Sequence, residues 1–322
     1  MNQRLSVVVP CYNEGEMLPQ FFDRMDAQLQ HLSTKYALAM EVVLVDDGST
    51  DDTLPLIKEY ATSHLGTRYL SFSRNFGKES AMLAGMRHAR GDLVVVMDAD
   101  LQHPPELLEK MVQGIIGSGY DCVATRITRR EGESRIRSMF SDFFYRLHNR
   151  LSDVVIVPGA KDFRMMTRPM VNAILAMPEY NRFSKGIFSW VGFKTLWLEM
   201  DPVPRPLGTS KWSFWGLTAY ALDGITAFST APLQLASWMG LLFCLLAVAL
   251  IGVVVVKTIL WGDPVAGFPT LISTVMFLGG VQLFTIGVLG QYIARTYLET
   301  KGRPLYIIRE VNPGDGEQMD RV

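Results

Sequence analysis

The chain has 322 residues, 31 Lys and Arg against 32 Asp and Glu, and a formal net charge of -1, so the basic excess of a nucleic-acid binder is missing. Hydrophobic residues make up 48% and charged residues 20%, but charge is dense up to about Lys211 and nearly vanishes from Ala231 to Ala294, so one part suits water and the other does not. Cys11, Cys122 and Cys244 are scattered and form neither a disulfide framework nor a metal-ligand spacing. The apolar run before Pro10 is too short for a signal-peptide core, and the N-terminus is expected to stay in the cytosol.

In chain order, Leu5 to Pro10 reads as a buried strand and Met17 to about Leu32 as a helix. Glu41 to Val45 is a second strand that ends in Asp46-Asp47-Gly48-Ser49, and Asp51-Asp52-Thr53 opens another helix with acidic residues at its favourable end. Tyr69 to Phe72 reads as a third strand, Lys78 to Ala89 as a helix, and Leu93 to Met97 as a fourth strand ending in Asp98-Ala99-Asp100. Strands alternating with helices predict a parallel, doubly wound α/β sheet, whose ligands bind beyond the carboxyl ends of the strands. Asp46, Asp47, Asp98 and Asp100 all fall at such ends. Four carboxylates there would repel one another unless a cation or hydrogen-bond donors are present. Asp98 and Asp100, two apart past a strand, could share one hard cation, Mg²⁺ or Mn²⁺, joined by the Gln102 carbonyl. The alternatives are loop acids capping the helix that begins near Pro104-Pro105-Glu106, and for Asp46 an Asx-turn.

Arg135 to Leu151 sets Ile136, Met139, Phe140, Phe143, Phe144 and Leu147 among four arginines, the pattern of an interfacial helix on anionic lipid or of an ordinary amphipathic core helix. Residues 211 to 232, rich in aromatics from Trp212 to Phe228, form a second juxtamembrane candidate. Leu235 to Val256 then runs 22 residues without a charge, roughly 33 Å as a helix against a hydrocarbon core of about 30 Å. Phe268 to Ala294 is a second uncharged stretch, and Trp261-Gly262-Asp263-Pro264 between them is a helix-breaking turn. Two buried core helices would seldom run so far without a polar face. The expected organisation is a cytosolic domain over 1–210, a juxtamembrane helix over 211–232, transmembrane helices at about 235–257 and 268–294 within 233–295, and a cytosolic tail over 296–322. Arg205 and Lys211 before the spans, and Arg295, Lys301, Arg303 and Arg309 after them, place both flanks inside. Gly279, Gly280, Gly287 and Gly290 would admit a close helix, either within the hairpin or from a second copy.

Taken as an ordered set, Val9-Pro10-Cys11-Tyr12-Asn13-Glu14, Asp46-Asp47-Gly48-Ser49, Ser73-Arg74-Asn75-Phe76-Gly77-Lys78 and Asp98-x-Asp100-x-Gln102-x-Pro104-Pro105 resemble the GT-A family 2 glycosyltransferases. Asp162-Phe163-Arg164, Arg182-Phe183-x-Lys185-Gly186, Gly208-x-Ser210-Lys211-Trp212 and the closing Gly290-Gln291-Tyr292 to Glu299 continue the likeness. The branch it resembles transfers sugars to polyprenyl phosphates and includes dolichol-phosphate mannose synthases and bactoprenol glucosyltransferases, the latter with two C-terminal spans. The resemblance implies a GT-A domain followed by interfacial helices and a transmembrane hairpin. It implies that Pro10, Tyr12, Glu14, Asp46 and Asp47 hold base and ribose, with Lys78 among the donor contacts. Asp98, Asp100 and Gln102 would hold metal and diphosphate, and Asp162, with Arg164 in the same motif, would act near sugar and acceptor. Arg126, Arg182, Lys185 and Lys211 would cradle phosphates of donor and acceptor, for which the arginine fork is suited; each is otherwise a solvated surface charge.

Two departures stand out: Lys161 precedes Asp162 where the family usually has Gly, and Cys11 replaces a more usual aliphatic or aromatic residue. The expected reaction is inverting transfer of glucose from UDP-glucose to undecaprenyl phosphate at the inner face of a bacterial cytoplasmic membrane, for cell-envelope glycan modification. Implied partners are a nucleotide sugar, the lipid, a flippase and a downstream membrane glycosyltransferase. GDP-mannose, a UDP-N-acetylhexosamine or a UDP-aminoarabinose derivative are alternative donors. A processive polysaccharide synthase lacks support, since no Gln-x-x-Arg-Trp element is present. A non-catalytic scaffold sits poorly with an intact Asp98-x-Asp100.

Overall fold

The computed structural model describes residues 3–127, 149–150, 154–177, 179–201, 229, 231–261 and 267–312. Most of the expected interfacial helix (135–151), the juxtamembrane segment before Ser229, Lys211, the inter-span turn and the last ten residues lie outside that set.

The strands are β1 (Arg4–Cys11), β2 (Ala39–Asp46), β3 (Thr67–Phe72), β4 (Leu93–Val96), β5 (Cys122–Ile127), β6 (Ala160–Thr167), β7 (Thr195–Met200) and β8 (Ile308–Val311). The helices are α1 (Leu18–Tyr36), α2 (Thr53–Ser63), α3 (Lys78–His88), α4 (Leu107–Val112), α5 (Arg168–Leu175), α6 (Ser184–Trp190), α7 (Ala231–Trp261) and α8 (Phe268–Thr300). One sheet takes all the strands in the order β7-β5-β6-β4-β1-β2-β3-β8.

The apolar runs became the parallel centre of this sheet, β4-β1-β2-β3, because parallel strands are covered on both faces. Side chains alternate along them. Leu5, Val7 and Val9 of β1 enter the core beneath α1, α2 and α4, while Val8 enters the core beneath α3, α5 and α6.

The expected all-parallel sheet is corrected at both ends. β6 runs antiparallel between β4 and β5, and β8 runs antiparallel to β3. Within the expected tail, β8 returns from beyond α8 to close the sheet edge. Tyr306 just before it stacks on Phe72 at 5.0 Å, and Lys58 pairs with Glu310 at 2.6 Å.

α7 and α8 are antiparallel. Tyr292 donates to the Ser229 carbonyl at 2.7 Å, and Phe243 meets Phe277 edge-on at 5.3 Å. Moving forward from residue 229 to 243 thus matches moving back from 292 to 277. Within α8, Thr274–Thr300 is long and apolar enough to cross a membrane, with none of its most apolar window buried.

Candidate active site

The carboxyl ends of β1, β2 and β4, with the amino end of the antiparallel β6, bring most of the nominated residues to one edge. The loop after β1 is latched to the loop after β2. The Asn13 N–H donates to Ser49 Oγ (3.0 Å), the Thr50 N–H to Asn13 Oδ1 (2.9 Å), and the Glu14 N–H to Thr53 Oγ1 (2.8 Å). Pro10, next to last in β1, is half-buried, Tyr12 is 39% exposed, and Glu14 opens the turn into α1 through its carbonyl.

Asp46 and Asp47 are both buried and both engaged. Asp46 accepts from Ser71 Oγ at 2.7 Å and from the Ser49 N–H, three residues on, at 3.0 Å, a local loop bond one residue longer than an Asx-turn. Asp47 accepts the N–H groups of Phe76 (2.6 Å) and Gly77 (2.9 Å), fixing the loop before α3. Burial pushes the Asp47 carboxyl up, against those two bonds. Gly48 between these turns has φ +67°, and a Cβ there would lie 2.4 Å from the Arg74 carbonyl carbon, so only glycine fits.

Lys78, the first residue of α3, joins the two ends of the candidate site. Its Nζ lies 2.7 Å from Asp98 Oδ1 after β4 and 2.9 Å from Asp162 Oδ2 on β6. Burial works against its charge, but the two carboxylates outweigh it and hold the ammonium above its ordinary value. For Asp162 burial likewise opposes ionisation, and Lys78, Lys185 and Arg164 overcome it and hold the carboxyl well below the usual carboxylate range. Asp98 is lowered in the same way by Lys78 and His103. Asp100 is buried, accepts the Gln102 N–H at 3.1 Å, and is followed by Leu101 in a left-handed conformation (φ 55°) that turns the loop back on itself.

The basic residues divide. Arg164 is buried, donates to the Lys161 carbonyl at 2.9 Å and lies 3.8 Å over the Phe188 ring. Arg182 donates to the Met177 carbonyl at 2.7 Å, near the end of α5. Arg126 pairs with Glu199 on the neighbouring strand at 2.5 Å. Lys185, half-buried at the start of α6, adds positive charge beside Asp162. Cys11 is buried with its thiol pushed up chiefly by burial, an inert group.

Three residues at this edge were not nominated. His103 is buried, accepts the Asp98 N–H on Nδ1 at 3.1 Å and stacks on Phe163 at 4.9 Å; burial lowers its pKa. Glu79 accepts both the N–H and the hydroxyl of Ser184. Burial, then the Asp162 charge, pushes it up to about 7. Glu299, in the last turn of α8, accepts the Tyr180 N–H at 2.8 Å. Nothing in the local sequence marks His103 or Glu79. Glu299 carries a signal, an acid at the helix end that disfavours negative charge.

Residues 6–175 match the family described as Glycosyl transferase family 2. The chain belongs to this family. Residues 231–296 match the family described as GtrB C-terminal hairpin. CsbB of Bacillus subtilis (strain 168), named as a glycosyltransferase, is 43% identical over 308 residues, 96% of this chain and 92% of that protein. A prophage bactoprenol glucosyl transferase homolog of Escherichia coli (strain K12) is 41% identical, covering 96% of this chain and 99% of that protein. Among solved structures, glucosyl-3-phosphoglycerate synthase from Mycobacterium tuberculosis, with Mn²⁺, UDP-glucose and phosphoglyceric acid, is similar at a TM-score of 0.46 and 18% identity over 69% of this chain and 77% of that one, too slight a likeness to carry an assignment. The protein is a membrane-associated glycosyltransferase.

Proposed function

We propose that this glycosyltransferase moves glucose from UDP-glucose to undecaprenyl phosphate, with inversion at the anomeric carbon, at the cytosolic face of a bacterial cytoplasmic membrane. The observation that carries the acceptor class is the state of Asp162. With Lys78 at 2.9 Å its carboxyl is held well below the usual range, which makes it a poor base at neutral pH. A sugar hydroxyl would need a base to attack, whereas a phosphate monoester, with a second pKa near 6, is already a nucleophile. Asp162 then orients acceptor and sugar and steadies the charge that develops on the ring. The relatives named as bactoprenol glucosyl transferases support the same acceptor and the choice of glucose.

Asp98 and Asp100 fit a hard divalent cation such as Mg²⁺ or Mn²⁺. Both offer carboxylate oxygens after β4, and no cluster of three or more His, Cys, Asp or Glu forms a self-sufficient site among the described residues. The rest of the shell falls to Gln102, diphosphate oxygens and water. When bound, the cation would supply Lewis-acid stabilisation of the departing diphosphate.

The sheet supports a two-pass hairpin. β7 precedes α7 and β8 follows α8, yet both belong to one sheet. A chain that leaves a domain and rejoins it crosses a bilayer an even number of times. The product, a lipid-linked sugar, must then be consumed by a membrane enzyme after a flippase moves it outward.

The test is a donor screen in detergent with undecaprenyl phosphate, with products identified by mass. UDP-glucose is expected to give hexosyl-phosphoundecaprenol, and Asp100→Ala to abolish it. Product from another nucleotide sugar alone, or full turnover without divalent ions, would overturn the donor or the metal assignment respectively.

A further inference from the structure

Glu299 is held by no residue of its own helix. Its Oε1 accepts the backbone N–H of Tyr180 at 2.8 Å and that of Asn181 at 3.4 Å. An acid in the last turn of a 33-residue helix, with no base in that turn, works against the helix dipole. The two N–H groups from the catalytic domain are the compensation present. The segment they belong to, 179–185, is fixed at its far end by Glu79, which accepts from the Ser184 N–H and hydroxyl. Between the two contacts lies Arg182, whose guanidinium rests on the Met177 carbonyl, and just past Ser184 comes Lys185, whose charge reaches Asp162. The strap is therefore pinned at one end to the exit of α8 and at the other to the helix that carries Lys78.

The chain beyond α8 reinforces the same tie. Ser80 Oγ donates to the Leu305 carbonyl at 3.1 Å, the Ser73 N–H to the Ile307 carbonyl at 3.0 Å, and Arg87 to Tyr306 Oη at 3.2 Å. The start of α3 and the strap thus share one support, the segment 299–308.

We infer that Glu299 is a positioning residue: the end of the hairpin sets the place of the Arg182–Lys185 strap, and through it the binding of the lipid phosphate. This rests on the proposed acceptor. A lipid phosphate is presented at the membrane surface, the side from which α8 delivers its last turn. Arg and Lys on a strap fixed there are suited to an anionic headgroup. The nucleotide, at the loops after β1, β2 and β4, lies on elements Glu299 does not touch. The hairpin is therefore part of the acceptor site as well as an anchor.

The experiment uses the full chain in detergent micelles with Glu299→Ala and Glu299→Gln. Because the bonds are exposed, the expected loss is modest. In E299A the KM for undecaprenyl phosphate rises about three- to tenfold, with the KM for UDP-glucose unchanged. E299Q, whose amide oxygen still accepts both N–H groups, stays near the wild type. Hydrogen exchange across 179–185 quickens in E299A and not in E299Q. Unchanged exchange in E299A would overturn the strap geometry. Faster exchange with an unchanged acceptor KM, or a donor KM that moves equally, would overturn its role. A wild-type enzyme that ignores undecaprenyl phosphate defeats the proposed function, while the exchange result still reports on the tie itself.

Discussion

Replacing Lys78 by Met removes the one side chain among the described residues that touches both Asp98 and Asp162 and keeps most of its apolar length. Two ion pairs are lost, at 2.7 and 2.9 Å, with side-chain exposures of 42% for the lysine and 25% and 20% for its partners. Pairs this open to water are worth at most about 1 kcal/mol each, so the folded state loses about 1–2 kcal/mol. For a domain of this size that lowers Tm by about 2–8 °C. Both carboxyls are held below their ordinary values in the intact protein. A depressed carboxyl contributes stability that is present above the unfolded value, near 4, and is lost as pH falls through the folded one. The deficit of K78M is therefore largest at neutral pH and shrinks as the solution is acidified below about pH 4. A divalent cation can replace the missing ammonium. At ten times its Kd it would return about 1.4 kcal/mol, so magnesium should raise the Tm of K78M more than that of the wild type. Thermal melts of both proteins at pH 7.5 and pH 4, with and without magnesium, test all three statements. A K78M Tm within 1 °C of the wild type at pH 7.5, or equal gains from magnesium in both proteins, would refute the reasoning.

Two further outcomes follow from the same edge. Glu79 is pushed up to about 7, so between pH 4.5 and 7 the folded chain holds a proton that the unfolded chain has released. Its contribution to stability falls as pH rises across that window. Glu79→Gln should flatten this slope and leave the protein relatively more stable above pH 7, as read from Tm against pH; an unchanged profile would contradict the raised value. Tyr306→Ala removes the ring stacked on Phe72 and the Arg87 contact. It should cost about 2–3 kcal/mol and, by loosening β8, make the amides of β3 exchange faster. A melt unchanged from the wild type would show that β8 adds nothing to the edge.

The first four strands were legible because parallel strands are buried on both faces and appear as unbroken apolar runs. β6 was not, because the charged residues Lys161, Asp162 and Arg164 interrupt its apolar residues. β7 is largely half-buried, and β8 is only four residues, two of them charged. Asp98 and Asp100 could be placed from the strand that ends before them, and Asp162 from family resemblance. Their electrostatic partner could not be placed, since Lys78 precedes Asp162 by 84 positions and Glu79 precedes Ser184 by 105. Contacts of that span are fixed by the order of strands in the sheet, and β6 entering beside β4 is the feature that the strand–helix alternation does not reveal.

The crowding of acids at the strand ends resolves differently for each pair, and the difference separates their roles. Asp46 and Asp47 are neutralised by neutral donors, Ser71, Ser49 and the N–H groups of Phe76 and Gly77. Those bonds build the loops, so removing either acid should disturb the fold of the edge before it disturbs chemistry. Asp98 and Asp162 are neutralised by a lysine that remains 42% exposed. A part-exposed ammonium on a long side chain can be drawn to an incoming diphosphate in a way that a buried peptide N–H cannot. Each Asp47 oxygen accepts one N–H and keeps lone-pair capacity for a ligand donor. The architectural acids can thus still face a nucleotide while holding their loops. Asp98, by contrast, can meet a cation fully only as Lys78 lets it go.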